Sequence, residues 1–166
     1  SSIVVTILRA KLLIQNINRM TAYIFIKSHT MEGKNGPDHP PKNNNTVKVL
    51  IGVSNNVRME STEYGLVGSP CEQVLTTGAC SYASDVCGTF PHDAALVELH
   101  AQAYLGAGIF NEHGEDIGIL VAIYKKAQPE IHKFQYTFSV QAKLFAMRIQ
   151  KDYLEILRNS YFKKTC

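Results

Sequence analysis

"AYLGAGIFNEHGEDIGILVAIYKK" (residues 103–126) is the stretch on which the fold turns. Two apolar runs, 103–110 and 117–124, flank a polar turn, so the segment reads as a β-hairpin. A hairpin with one face in water alternates apolar and polar residues, and neither run does. Both strands are therefore expected inside a sheet that is covered on both faces. Ala103, Leu105, Ala107 and Ile109 point one way and suit a helix packed on them. Tyr104, Gly106, Gly108 and Phe110 point the other way, two aromatics with bare backbone between them. Glycine inside a strand marks close approach by a ligand or by another backbone, and both readings stay open here. Gly114 serves the turn.

After Pro129, residues 130–162 read as one long helix. Phe138, Ala142, Phe145, Ile149, Tyr153 and Ile156 make one apolar stripe; Leu144, Met147, Leu154, Leu157 and Tyr161 make a second. One stripe serves the helix's own sheet. A second calls for another partner, either the N-terminal helix or a second copy of the chain, or else marks a wide core face. Dimerisation through the helix ends would put Phe145 and Ile149 at the interface.

Upstream, Ser69 and Pro70 open a short helix, "PCEQVLTTG", with Glu72 in its first turn and Gly78 at its end. "ACSYAS" (79–84) is extended and "DVCGTFP" (85–91) reads as loop. Asp93 caps a second short helix over 94–100. Residues 21–28 and 46–54 are β-rich, joined by a loop over 29–45 full of Gly, Pro and Asn. Ile3, Ile7, Leu8, Leu12, Leu13 and Ile17 recur at helical spacing. The order predicts an α+β fold with a central antiparallel sheet of about six strands. N- and C-terminal helices pack on one face, short helices and loops on the other. One domain over 1–166 accommodates it: a helix at 1–18, sheet and pocket at 20–126, and the C-terminal helix at 130–162.

The chain has 166 residues, 45% hydrophobic and 19% charged, enough for a sizeable core. A formal charge of +3, with a local Lys163–Lys164 pair at the C-terminus, is too slight to argue for nucleic acid. No apolar run approaches the ~20 residues of a membrane helix. Arg9 and Lys11 interrupt the apolar N-terminal stretch, and no small-residue cleavage site follows, so a signal peptide is not expected. The first residue is Ser rather than Met, as in a piece excised from something longer. Cys71, Cys80, Cys87 and Cys166 follow neither a CxxC pattern nor a dense framework, and read as reduced thiols. Zinc held by Cys71, Cys80 and Cys87 with His92 or His100 would need closer ligand pairs, so no metal is expected.

"GSPCEQVLTTG", "FPHDAALVEL" and the hairpin, in that order, resemble the GAF domain of bacterial signalling proteins. The resemblance is strongest over Glu63–Lys126 and rests on element order for Ile3–Ser54 and the last helix. It implies a GAF/PAS-like sheet and a cytoplasmic sensory or regulatory module, commonly dimeric, joined to an output domain. Some members bind cyclic nucleotides, tetrapyrroles or metabolites and others bind nothing. The ligand and any cofactor stay unidentified here, and no membrane or nucleic-acid partner is expected.

A ligand would sit between the bare face of strand 103–110 and a roof over 79–100. Tyr82, Asp85, Phe90, Tyr104, Gly106 and Gly108 are the candidate ligand-binding residues. Covalent bilin attachment commonly uses Cys followed by His; here Glu72, Ser81 and Gly88 follow the cysteines. For haem, His92 or His100 would be the axial ligand. The enzymatic alternative is a GAF-type reductase of free methionine sulfoxide, with Cys71, its pKa lowered at a helix N-terminus, and Cys87 as thiols. Ala94 and Ala95 stand where the resemblance calls for a further Cys, so no enzyme is expected. The remaining alternative is a ligand-free dimerisation and spacer module.

Overall fold

A computed structural model describes residues 20–27, 46–54, 57–59 and 63–164, with side chains over 64–148 and 150–151. The helix expected over 1–18, the loop over 29–45 and Cys166 lie outside the described residues. The strands are β1 (Met20–Lys27), β2 (Thr46–Ser54), β3 (Val57–Met59), β4 (Glu63–Gly65), β5 (Ala79–Tyr82), β6 (Ala103–Phe110) and β7 (Asp116–Tyr124). The helices are α1 (Pro70–Thr77), α2 (Val86–Thr89), α3 (Ala94–Glu98) and α4 (Gln135–Lys164). A 3-10 turn at Ile131–Phe134 leads into α4.

The strands form one antiparallel sheet in the order β3-β2-β1-β7-β6-β5, with β4 also paired to β2. A mixed fold with an antiparallel sheet agrees with the sequence reading; the expected count of about six does not. β3 and β4 are three residues each and too short to leave a periodic trace. Every side chain is described in three strands, β5, β6 and β7. The two hairpin strands are each flanked on both sides, β7 by β1 and β6, and β6 by β7 and β5. They pair from Ala103↔Tyr124 to Phe110↔Asp116, with an irregularity between Ile109 and Phe110.

Local chemistry sets the turns. Asn111 Oδ1 accepts the N–H groups of His113 and Glu115, both at 2.9 Å, and Gly114 takes φ +78°. That conformation favours glycine, as the turn reading requires. α1 has Pro70 at its start, where the missing N–H costs nothing. Ser69 stands at the N-cap position, but its hydroxyl donates back to Leu66 O (2.7 Å). Glu72 reaches back instead, accepting the Gly68 N–H at 3.0 Å. Gly78 ends α1 at φ +89° and donates to Val74 O (2.7 Å).

Two apolar layers sandwich the hairpin. Ala103, Leu105, Ala107, Ile109, Leu120, Ala122 and Tyr124 pack with Ile131, Phe138, Ala142, Phe145 and Ala146 from the α4 side. Tyr104, Ile119, Val121 and Ile123 pack on the opposite face with Cys71, Val74, Val86 and Leu96 from α1, α2 and α3. The aliphatic face of β6 thus receives α4, as the alternation predicts. Phe145, expected at a dimer interface, is instead core: it is buried within the chain because the first stripe faces the sheet. Ile149's side chain lies outside the described set. Phe145→Ala is expected to lower the unfolding free energy by about 3–5 kcal/mol, a large share of a domain's roughly 5–15. Urea denaturation measures it; a loss under about 1 kcal/mol would mean that α4 is not seated through Phe145.

Candidate functional site

The β5–β6 ladder sets Tyr82 opposite Tyr104 and Cys80 opposite Gly106, on the face that the short helices cover. Paired side chains in an antiparallel ladder share a face, so the two tyrosines meet. Their ring centroids lie 6.3 Å apart at 65°. Phe90, which ends α2, meets Tyr82 edge to face, 5.3 Å apart at 89°. Tyr104 is buried, whereas Tyr82 and Phe90 remain partly open. The Tyr82 hydroxyl donates to Gln73 Oε1 on α1. Three of the six candidate residues, Tyr82, Phe90 and Tyr104, thus meet on this seam between sheet and short helices, and Asp85 stands at the start of α2, which Phe90 ends.

Asp85 starts α2 in a left-handed conformation, φ +53° and ψ +34°, which Asp tolerates better than most residues. Its carbonyl accepts both the N–H and the hydroxyl of Thr89, each at 3.1 Å. Its carboxylate occupies the space beside Gly88, where a Cβ would fall 2.5 Å from both oxygens. α2 falls in the stretch whose sequence reads as loop, because a four-residue turn opened by a positive φ leaves no apolar period.

The two strand glycines are filled by the protein itself. A Cβ on Gly106 would stand 2.6 Å from Val74 Cγ2 and 2.7 Å from the Tyr104 hydroxyl. One on Gly108 would stand 2.6 Å from Phe110 Cζ. Of the two readings open in the sequence, close approach describes the geometry: Val74 of α1 settles onto the backbone of β6 at Gly106. Gly108 also donates to Gly78 O at 2.8 Å, tying β6 to the end of α1.

The same side of the sheet carries further polar groups, some buried and some partly so. Cys71 Sγ and the Tyr104 hydroxyl hydrogen bond at 3.1 Å. Tyr64 donates to Asp93 Oδ2, and Asp93 Oδ1 accepts the Leu96 N–H at 3.2 Å, so Asp93 caps α3 as its position predicts. Cys80 Sγ lies 3.6 Å from Pro70 O, and Cys87 Sγ reaches Leu96 O (3.1 Å) and Ala101 O (2.9 Å). Burial pushes the Cys71 thiol up to about 12, with the nearby Asp93 adding to it although the Tyr104 hydrogen bond opposes. Burial also pushes Cys80 up to about 12 and raises Cys87 and Tyr104, the last well above its ordinary value.

The expectation that a helix N-terminus lowers the Cys71 pKa is therefore corrected. Helix-end electrostatics contribute roughly 0.3–1 kcal/mol, less than one pKa unit. Desolvation of a fully enclosed thiol outweighs that. His92 and His100 are exposed. Among the described residues, no three His, Cys, Asp or Glu side chains gather as metal ligands would. Sequence reasoning missed Gln73, Val74 and Tyr64, whose roles depend on which helix lies over which strand.

The raised thiol carries a pH signature. An unfolded Cys71 ionises near 9 and the folded one near 12, so its contribution is complete below pH 9 and disappears as pH rises towards 12. Between pH 7.5 and 10 the wild-type chain is expected to lose about 1 kcal/mol more stability than Cys71→Ala. Urea midpoints at the two pH values test this; identical losses would mean that Cys71 ionises alike in both states.

No family profile matches the sequence, and no curated protein matches it. A likeness is found in structure: the crystal structure of the A. aeolicus nlh2 GAF domain in an inactive state superposes with a TM-score of 0.58. Sequence identity is 14%, over 87% of this chain and 81% of that one. At that identity the comparison establishes the fold, a GAF-type arrangement of sheet and helices, and the fold alone.

Proposed function

We propose that this chain is a sensory or regulatory GAF-type domain of a signalling protein. It binds a small molecule at the seam of Tyr82, Asp85, Phe90 and Tyr104 and relays occupancy through α4 to an output domain. One observation carries the reading. β5 and β6 present the aromatic seam on one face and the seat of α4 on the other. Tyr104 faces the short helices while its neighbour Leu105 packs in the α4 layer. Next to Tyr82, Ser81 donates to Gln135 Oε1, the first residue of α4, at 3.1 Å. A ligand that shifts the Tyr82 and Tyr104 rings acts on strands that α4 touches directly. Occupancy would then bias two packings of that helix.

The outer surface of α4 supports a homodimer as the relay. Tyr136, Val140, Leu144 and Met147 are exposed, at 79, 39, 50 and 59%, at spacings of four, four and three residues, which put them on one side of a helix. This is the second stripe of the sequence, extended towards the N-terminus. The reading is non-enzymatic: the thiols that a methionine sulfoxide reductase would use are Cys71, enclosed and pushed to about 12, and Cys87, raised by burial. Thiolate chemistry needs the opposite. A cytoplasmic setting belongs to the same proposal; no helix among the described residues is long and apolar enough to cross a membrane.

Two measurements test the reading. Native mass spectrometry of the chain from its own host is expected to show a small-molecule adduct that Tyr82→Ala removes. Repeated absence of any adduct would favour the ligand-free spacer. In sedimentation, Leu144→Glu and Met147→Glu are each expected to turn dimers into monomers, and a dimer unchanged by both would place the interface elsewhere.

A further inference from the structure

Charge is divided unevenly along the chain. Residues 59–124 hold nine of the fourteen Asp and Glu but none of the seventeen Lys and Arg. This segment supplies α1, α2, α3, β5, β6 and β7, every described element that builds the aromatic seam. The short helices and the strands they cover therefore bring no Lys or Arg of their own to a ligand. Phosphates and carboxylates are held by Arg, Lys or helix-end N–H groups. A segment without Lys or Arg disfavours them, and its field attracts cations.

The seam also offers what an organic cation uses. Tyr82 and Phe90 stand nearly perpendicular, both partly open to solvent, and aromatic faces attract an ammonium placed against them. Asp85, three residues after Tyr82 and at the other end of α2 from Phe90, is exposed. Lys125 and Lys126 follow β7 in the loop whose Gln128 N–H bonds Ala83 O (2.8 Å). Even so, Asp85 forms no salt bridge among the described residues. Its carboxylate is thus available as a counter-ion.

We propose that the ligand of this seam is an organic ammonium, held by the Tyr82 and Phe90 rings with Asp85 as its counter-charge. The proposal rests on the small-molecule reading above and gives it a chemical class. Burying an unpaired positive head is costly, so the carboxylate and the ring faces together make the site selective for charge rather than shape.

An NMR titration of the full chain tests it with three probes: choline, its uncharged isostere 3,3-dimethylbutan-1-ol, and cyclic AMP as an anion. Choline is expected to shift the amide signals of Tyr82, Asp85 and Phe90, with an affinity about tenfold above that of the isostere. Asp85→Asn and Phe90→Leu should each weaken choline about threefold or more. If the isostere binds as tightly as choline, or cyclic AMP binds more tightly at these signals, the ammonium proposal falls and the site stands. The proposal also falls if neither substitution changes choline affinity. If none of the probes moves these signals, the ammonium proposal falls, and the small-molecule reading is decided by the adduct in native mass spectrometry.

Discussion

Between Ala103 and Ile109 every residue of β6 is buried, so each position must meet a packed layer on its own side. The strand has no solvent face on which a misfit could be relieved. On one side Leu105, Ala107 and Ile109 lie in the α4 layer; on the other, Tyr104 and the bare backbone of Gly106 meet α1. Removing the Cβ at Gly106 lets Val74 approach the strand, which brings α1 close enough for Cys71 to bond Tyr104. The buried thiol, the seam and the seat of α4 all follow from that double coverage.

The seam itself is built from short-range geometry held by the same sheet. Tyr82 and Tyr104 meet because the ladder pairs them, and Phe90 reaches Tyr82 because α2 is only four residues long and opens with a left-handed Asp85. Tyr82 then bonds Gln73, which joins α1 to the edge strand. Asp85, just before α2, and His100, two residues after α3, are both non-glycine residues at positive φ. Such conformations persist where surrounding structure over-determines them.

Much of this was legible in the sequence where a local rule decides. The missing alternation of 103–110 and 117–124 announced a two-sided sheet, and the aliphatic set of β6 announced the helix that covers it. Gly78, Gly114 and Asp93 each sit where backbone conformation or an unpaired N–H needs that residue type. What stayed hidden depends on contacts distant in sequence. Cys71 read as an activated thiol because its helix position is visible in sequence, while the Tyr104 hydroxyl beside it, 33 residues away, is not. Gly106 and Gly108 read equally as pocket or close contact, since nothing local says that Val74 and Phe110 fill them. The strands β3 and β4 and the helix α2 are shorter than any period that could reveal them.

The central claim is that β6 transmits packing from the α1 face to the α4 face. A double-mutant cycle in urea unfolding measures that directly, with Val74→Ala on the α1 side and Phe145→Leu on the α4 side. Distant, independent sites add to within about 0.3–0.5 kcal/mol. Transmission through β6 predicts an interaction energy clearly beyond that, about 1 kcal/mol, in line with residues coupled through a shared backbone shift. Strict additivity would show that the two faces of the strand respond separately, and would contradict the account.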